Sequence, residues 1–164
     1  MELSDLTTSP FYADGLRFDC TRCQRCCRIE PGFVFLSRQD LARLATHLGV
    51  SEAEVESEYC RSVDAGGVPR LSLKEQANYD CVFWRDAGCS VYEARPTQCQ
   101  SFPFWSANVE SADGWQAVGE SCPGVDRGPL RSAMEIAYWL RRREAEPFTA
   151  PGRAPGGATG PARR

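Results

Sequence analysis

The sequence predicts a small, irregular α+β domain of about three helices and a few short strands, ordered by its cysteines more than by a large core. Three observations carry that expectation. Two Ser-x-x-acid signals, Ser37 with Asp40 and Ser51 with Glu54, stand where helices begin. The strand-like stretches are brief and are bounded by Gly and Pro. Nine of the 164 residues are cysteines, well above ordinary usage but below the density of a disulfide scaffold.

Residues 1–16 read as a flexible lead-in. The run Cys20-Thr-Arg-Cys23-Gln-Arg-Cys26-Cys27 follows as a tight knuckle, and apolar Gly32–Leu36 as a short strand. After Ser37, Leu41, Leu44, Ala45 and Leu48 recur at helical spacing until Gly49 stops the helix. Ser51 starts a second helix running from 52 to about 60. The pair forms a helical hairpin at about 37–60, inserted between two groups of cysteines. Gly66-Gly67 marks a turn, and Pro69–Leu73 alternates as a strand does. From Cys81 to Phe104, cysteines, aromatics and two prolines leave room for little regular structure. Trp115–Val118 suggests one more short strand. A last helix is expected over Leu130–Arg143, with Leu130, Met134, Ala137, Tyr138 and Leu140 as its apolar stripe. Residues 17–146 thus make the domain, and 147–164, rich in Pro, Gly, Ala and Arg, read as a disordered tail.

The net charge of −3 gives no general reason to expect nucleic acid or an anionic membrane as partner. No apolar run approaches the roughly 18 residues of a membrane span, and the N-terminus lacks the basic start and apolar stretch of a signal peptide. A cytoplasmic location is expected, where thiols stay reduced and cysteine clusters are more often metal sites than bridges. A protein partner is left open, as is the oligomeric state.

The cysteines fall into two groups, Cys20, Cys23, Cys26 and Cys27, then Cys81, Cys89, Cys99 and Cys122, with Cys60 apart. CxxC spacing lets two sulfurs from one turn converge on a single ion. Adjacent side chains diverge, so Cys26 and Cys27 rarely reach the same tetrahedral ion: either they serve two different sites or one of them is a spectator. Eight thiols divide into two four-thiolate sites with Cys26 and Cys27 split between them. Alternatively, Cys20, Cys23 and Cys26 act as a ferredoxin-like triple whose fourth ligand is Cys122, followed by Pro123. Arg17, Arg22, Arg25 and Arg28 flank the knuckle, and Arg95 lies in the second group. Their charge would offset the roughly −2 of a four-thiolate zinc site. Cys60 is read as a small buried hydrophobe, and His47 as a surface or partly buried helical residue. Arg95-Pro96 shapes the turn that delivers Cys99, and Phe102, Phe104 and Trp105 form the small core around the site.

Cys20-x-x-Cys23-x-x-Cys26-Cys27, then Cys81-Val-Phe-Trp, then Cys89-Ser-Val-Tyr-Glu-Ala-Arg-Pro-Thr-Gln-Cys99-Gln-Ser-Phe-Pro, closed by Cys122-Pro-Gly, resembles the CxxCxxCC, YkgJ-like family of zinc- or iron-chelating cysteine-cluster proteins. The resemblance spans roughly residues 16–125. It departs at Arg25, where the family often has Gly, and at Gln100, where it usually has Arg. It implies a chelated metal, and related cysteine domains of flagellin lysine methylases, which carry an iron–sulfur cluster, weigh towards iron.

The expected function is metal binding through the eight cysteines, as an iron–sulfur cluster, zinc or both, in electron transfer or as an accessory module. An iron–sulfur oxidoreductase, or an accessory to a protein-modification enzyme, is the enzyme alternative. A structural zinc module that presents the helical hairpin to a partner is the third. No nucleotide loop, histidine pair or acid–base constellation is evident, so metal binding without independent catalysis ranks first. All-thiolate ligation suits both metals. Two four-cysteine sets and the absence of apolar shielding around Cys20–Cys27 favour zinc, and the ferredoxin-like triple and the methylases favour iron, which leads slightly for at least one site.

Overall fold

The computed structural model describes residues 9–28, 31–86 and 88–152. It is an α+β domain: three two-stranded antiparallel sheets and six α-helices arranged about two hydrophobic cores. None of the described helices is long and apolar enough to cross a membrane.

The first core forms around the helical hairpin. Ser37 and Ser51 each accept a hydrogen bond from the amide three residues on, and Asp40 and Glu54 answer onto the serine amides. These closed capping boxes start α1 (Arg38–Leu48) and α2 (Glu52–Tyr59). Gly49, at φ 69, ends α1 in the left-handed conformation that glycine adopts without strain. Leu41, Leu44 and Val55 are fully buried, each contributing about 2 kcal/mol of apolar burial. They pack on a hairpin of β2 (Cys60–Asp64) and β3 (Pro69–Leu73), whose register runs from Cys60 opposite Leu73 to Asp64 opposite Pro69. Gly66 and Gly67, both at positive φ, turn the chain between them. Cys60 is buried in this core and His47 is exposed on α1.

The second core joins the two ends of the domain. β1 (Leu16–Phe18) turns Leu16 and Phe18 inward and pairs with β6 (Val125–Arg131). Trp115, Phe104, Val109, Val125 and Ile136 complete it. Between β3 and α5 in the chain come the short β4 (Trp84–Arg85) and β5 (Gly88–Cys89), then α3 (Thr97–Ser101) and α4 (Ser106–Val109).

Four sequence expectations change. Val34–Leu36 lies along β3, with Leu36 N–H donating to the Leu71 carbonyl and Leu73 N–H to that of Val34, but makes only an isolated bridge at Phe35. Trp115–Val118 is not a strand; it belongs to α5 (Ala112–Ser121), capped by Ser111. Its inward residues Trp115, Val118 and Cys122 recur at three and four residues, a helical period that a four-residue window cannot separate from strand alternation. The last helix, α6 (Ala133–Ala145), begins after Ser132, whose box with Glu135 fixes the start, and Leu130 belongs to β6. Its buried face is Ile136 with Trp139 and Leu140, whereas Leu130, Met134 and Tyr138 stand exposed.

The fourth change concerns the tail. Pro147–Gly152 is held rather than loose. Phe148 bridges to Ser37 and packs 5.1 Å from Phe35, Thr149 N–H donates to the Leu36 carbonyl, and the Thr149 carbonyl accepts from Leu71. Its composition hides this because the bonds are made by backbone. Residues 1–8 of the lead-in and 153–164 of the tail lie outside the described residues.

Candidate metal centre

The thiols are positioned by backbone geometry before any side chain acts. The knuckle turns through Arg22 at φ 54 and Gln24 at φ 70, then a short 3-10 turn at Arg25–Cys27. Both residues sit in the left-handed region, which costs a non-glycine residue about 1–2 kcal/mol. The Cys81 amide donates to the Cys27 carbonyl at 2.8 Å, fastening the second cysteine group to the first. Arg28, just past the knuckle, donates from Nε to the buried Asp80 carboxylate at 3.0 Å and stacks on Trp84. Cys89 ends β5, and Cys122 caps α5.

Cys99 is delivered by α3. Pro96 precedes this helix, and its carbonyl accepts from the Cys99 and Gln100 amides. The first α3 amide, of Thr97, donates to Asp40 of α1 at 2.8 Å, so one buried carboxylate caps two helices. The Thr97 hydroxyl bridges Asp40 and Glu146, the residue that caps the end of α6, and Arg43 closes the network on Asp40. Gln98 ties α3 to the chain before α1, accepting from Phe35 N–H and donating to the Phe33 carbonyl.

Cys20, Cys26, Cys27, Cys81, Cys89 and Cys99 line a single cavity of about 290 Å³. Phe33, Phe83, Trp84, Tyr92, Phe102 and Trp105 line it too, so the shielding that the knuckle's own sequence lacks arrives from distant segments. Phe104 belongs to the second core instead. Cys23 and Cys122 do not line the cavity. Cys26 and Cys27 sulfurs lie 4.0 Å apart. Cys60 is in the first core and away from the cavity.

The electrostatics report the same gathering. Cys99 is held above the ordinary thiol range first by burial, then by the neighbouring charges of Cys81, Cys26 and Cys89. Burial pushes Cys81 to about 11, with Cys89 adding to it. Cys26 is exposed at the surface, and there the adjacent Cys27 sulfur outranks burial in raising its thiol. Cys89 and Cys122 are also raised by burial; Cys122 feels Cys23 and then Cys26. Cys60 reaches about 12 by burial and by nearby Glu56. Arg95 opposes the rise at Cys26, Cys89 and Cys99.

The arginines sort themselves. Arg22 and Arg95 line the cavity and both stack on Tyr92, at 4.8 and 3.7 Å from its centroid. Arg28 is ion-paired to Asp80, and Arg17 donates to the Gly128 carbonyl. Asp40, Thr97, Asp80 and Tyr92 were not apparent as site-shaping residues in the sequence; their partners lie far along the chain.

The donor set is sulfur alone, which fits zinc or iron–sulfur ligation and disfavours harder ions. Among the described residues, no three His, Cys, Asp or Glu side chains are already drawn to one point that could hold a metal ion. Six thiols nevertheless line one shared cavity. A family model described as "Putative zinc- or iron-chelating domain", CxxCxxCC, matches residues 19–123 of the chain. No solved structure matches it.

Proposed function

Since the chain belongs to the CxxCxxCC family of zinc- or iron-chelating domains, we propose that its eight cysteines, Cys20, Cys23, Cys26, Cys27, Cys81, Cys89, Cys99 and Cys122, hold metal, with an iron–sulfur cluster at the shared cavity. The observation that carries this reading is six thiols lining one cavity of about 290 Å³. A water takes roughly 30 Å³ of liquid, so the space suits a multi-atom group better than one bare ion. The left-handed Arg22 and Gln24 support it as well, because strain at a knuckle persists where a further bond compensates for it.

Such a group, when bound, supplies one-electron chemistry. The chain's own residues do the rest. The thiols deprotonate on ligation, and Arg22 and Arg95 offset the resulting negative charge. The aromatic walls limit water around it, which strengthens every charge interaction inside. Electron transfer, or service as an accessory module to another protein, follows from these roles without a catalytic residue in this chain.

A second reading is structural zinc. It is favoured by the placement of Cys81 and Cys89 against the first core and Cys122 against the second. Metal shared among them would staple the two cores, and its binding energy would be folding energy.

Anaerobic purification followed by a visible spectrum, acid-labile sulfide and metal analysis separates these outcomes. A brown protein with sulfide supports the cluster. A colourless protein with stoichiometric zinc overturns the cluster and supports the staple. Free thiols without metal refute both.

A further inference from the structure

We propose that the thiol-lined cavity also takes a small carboxylic acid with a flat aromatic body, recognised by Arg22, Gln24 and Tyr79. Among the described residues four non-glycine residues adopt positive φ, and three of them, Arg22 (φ 54), Gln24 (φ 70) and Tyr79 (φ 67), line this one cavity. Glycine adopts that conformation without strain and would give the same turns. The turns therefore account for the backbone, but not for a guanidinium, a carboxamide and a phenol at these positions. Among the described residues their polar heads are unengaged, apart from Arg22 stacking on Tyr92 at 4.8 Å. Strained residues with free heads gather where a ligand is held.

The lining selects the ligand. Glu75, the one carboxylate among the described lining residues, is held by Arg61 and by the Gly32 amide. Lys74 is bonded to the Ser57 and Glu58 carbonyls. The guanidinium that Cys26, Cys89 and Cys99 feel is that of Arg95. Arg22 is left without a carboxylate, and its planar fork matches one. Gln24 and Tyr79 can each add a donor to the same group. Phe33, Phe83, Trp84, Phe102 and Trp105 supply aromatic wall, which suits a ring. Phe33 and Tyr79, 51% and 50% exposed, mark the open mouth. A cavity of about 150 Å³ already holds benzene, so about 290 Å³ leaves space for a ring beside a metal. The proposal rests on the reading above only in placing the acid next to that metal.

Equilibrium dialysis of radiolabelled benzoate against the full chain as purified, with metal content measured on the same samples, tests it. Uptake should saturate with a dissociation constant of about 1 mM or tighter. Benzamide, which lacks the charge, and acetate, which lacks the ring, should each compete at least about tenfold less well. Arg22→Gln, which removes the charge, and Arg22→Gly, which also relieves the backbone, should each weaken benzoate at least about tenfold. Arg22→Gly should melt no lower than the parent at matched metal content. Arg127→Gln, at an exposed arginine outside the cavity, should bind as the parent does. The absence of saturable uptake overturns the proposal, as does benzamide competing as well as benzoate. So does either Arg22 variant binding as tightly as the parent, a lower melting point for Arg22→Gly, or loss of binding with Arg127→Gln. A metal-free chain that still takes benzoate fails the metal reading and keeps this one; a metal-loaded chain that takes none does the reverse.

Discussion

Asp40→Ala is expected to destabilise the folded chain by about 3–5 kcal/mol. The Asp40 side chain is almost wholly buried and accepts from Ser37 N–H at 2.8 Å, Thr97 N–H at 2.8 Å and the Thr97 hydroxyl at 3.2 Å, besides Arg43. Alanine strands two buried amides, each at about 1–3 kcal/mol. The Thr97 hydroxyl loses less, because Glu146 still accepts from it at 2.8 Å. Arg43 also keeps Thr97 and Glu146 and is partly exposed, so its share is small. Asp40→Asn retains an acceptor oxygen without the charge and should cost about half as much. Against a total stability of about 5–15 kcal/mol, the alanine change is severe. Denaturation midpoints should be compared by tryptophan fluorescence at matched metal content, with amide exchange read at Thr97 and Cys99. An alanine variant within about 1 kcal/mol of the parent, exchanging no faster at Thr97, would refute the claim that this carboxylate holds α3.

Three further outcomes follow from the coordinates. Gly124→Ala should lower stability by about 2 kcal/mol or more, because a Cβ there collides with the Asp19 backbone carbonyl, whereas Gly32→Ala, which meets nothing, should be neutral or gain a few tenths of a kcal/mol; thermal melts compare the two. Glu146 is pushed up by burial, but hydrogen bonds from Thr97 and Arg142 outweigh that and leave it below its ordinary carboxylate value of 4.5. Its contribution to stability is therefore present above that value and is lost as pH falls through the lower folded one, so Glu146→Gln should flatten the acid limb of a melting-temperature profile. Because the Cys81, Cys89, Cys99, Cys26 and Cys122 thiols all stand above the ordinary range, metal uptake at neutral pH should release protons and strengthen as pH rises. Titration calorimetry in buffers of different ionisation heat reads that release directly, and uptake without proton release would count against thiol ligation.

What the sequence discloses is what is encoded within a few residues. Ser37 with Asp40 and Ser51 with Glu54 fix two helix starts, because each box closes over three residues. Gly66-Gly67 fixes the hairpin turn for the same reason. The knuckle and its family are written in the spacing itself. The misread elements depend on distant partners. Whether Met134 or Ile136 faces inward is decided by Phe104 and Trp115, not by the helix's own period. Phe148 is ordered by Phe35, more than a hundred residues earlier. Asp40 signals one cap locally, and its second duty at Thr97 lies 57 residues away. The same limit governs the site: spacing marks eight cysteines, but only the fold separates the six at the cavity from Cys23 and Cys122.

The two cores explain why so many thiols sit where they do. The first core, around the helical hairpin, carries Cys81 and Cys89 on its edge, and the second carries Cys122 at the end of α5. The knuckle runs between them, leaving β1 of the second core and fastening to Cys81 of the first through the Cys27 carbonyl. Protein contacts also join the two halves: the Asp40–Thr97–Glu146 chain links α1, α3 and the end of α6, and the segment after α6 packs Phe148 on Phe35 and bonds Thr149 to Leu36 and Leu71. The buried polar links among them are worth about 1–3 kcal/mol each. A ligand set drawn from both cores would add to these contacts as well as hold a metal. This favours one architecture for both readings of the site. A redox centre needs a rigid, partly dry seam, and a structural centre is itself the seam, so metal content and fold should rise and fall together in either case.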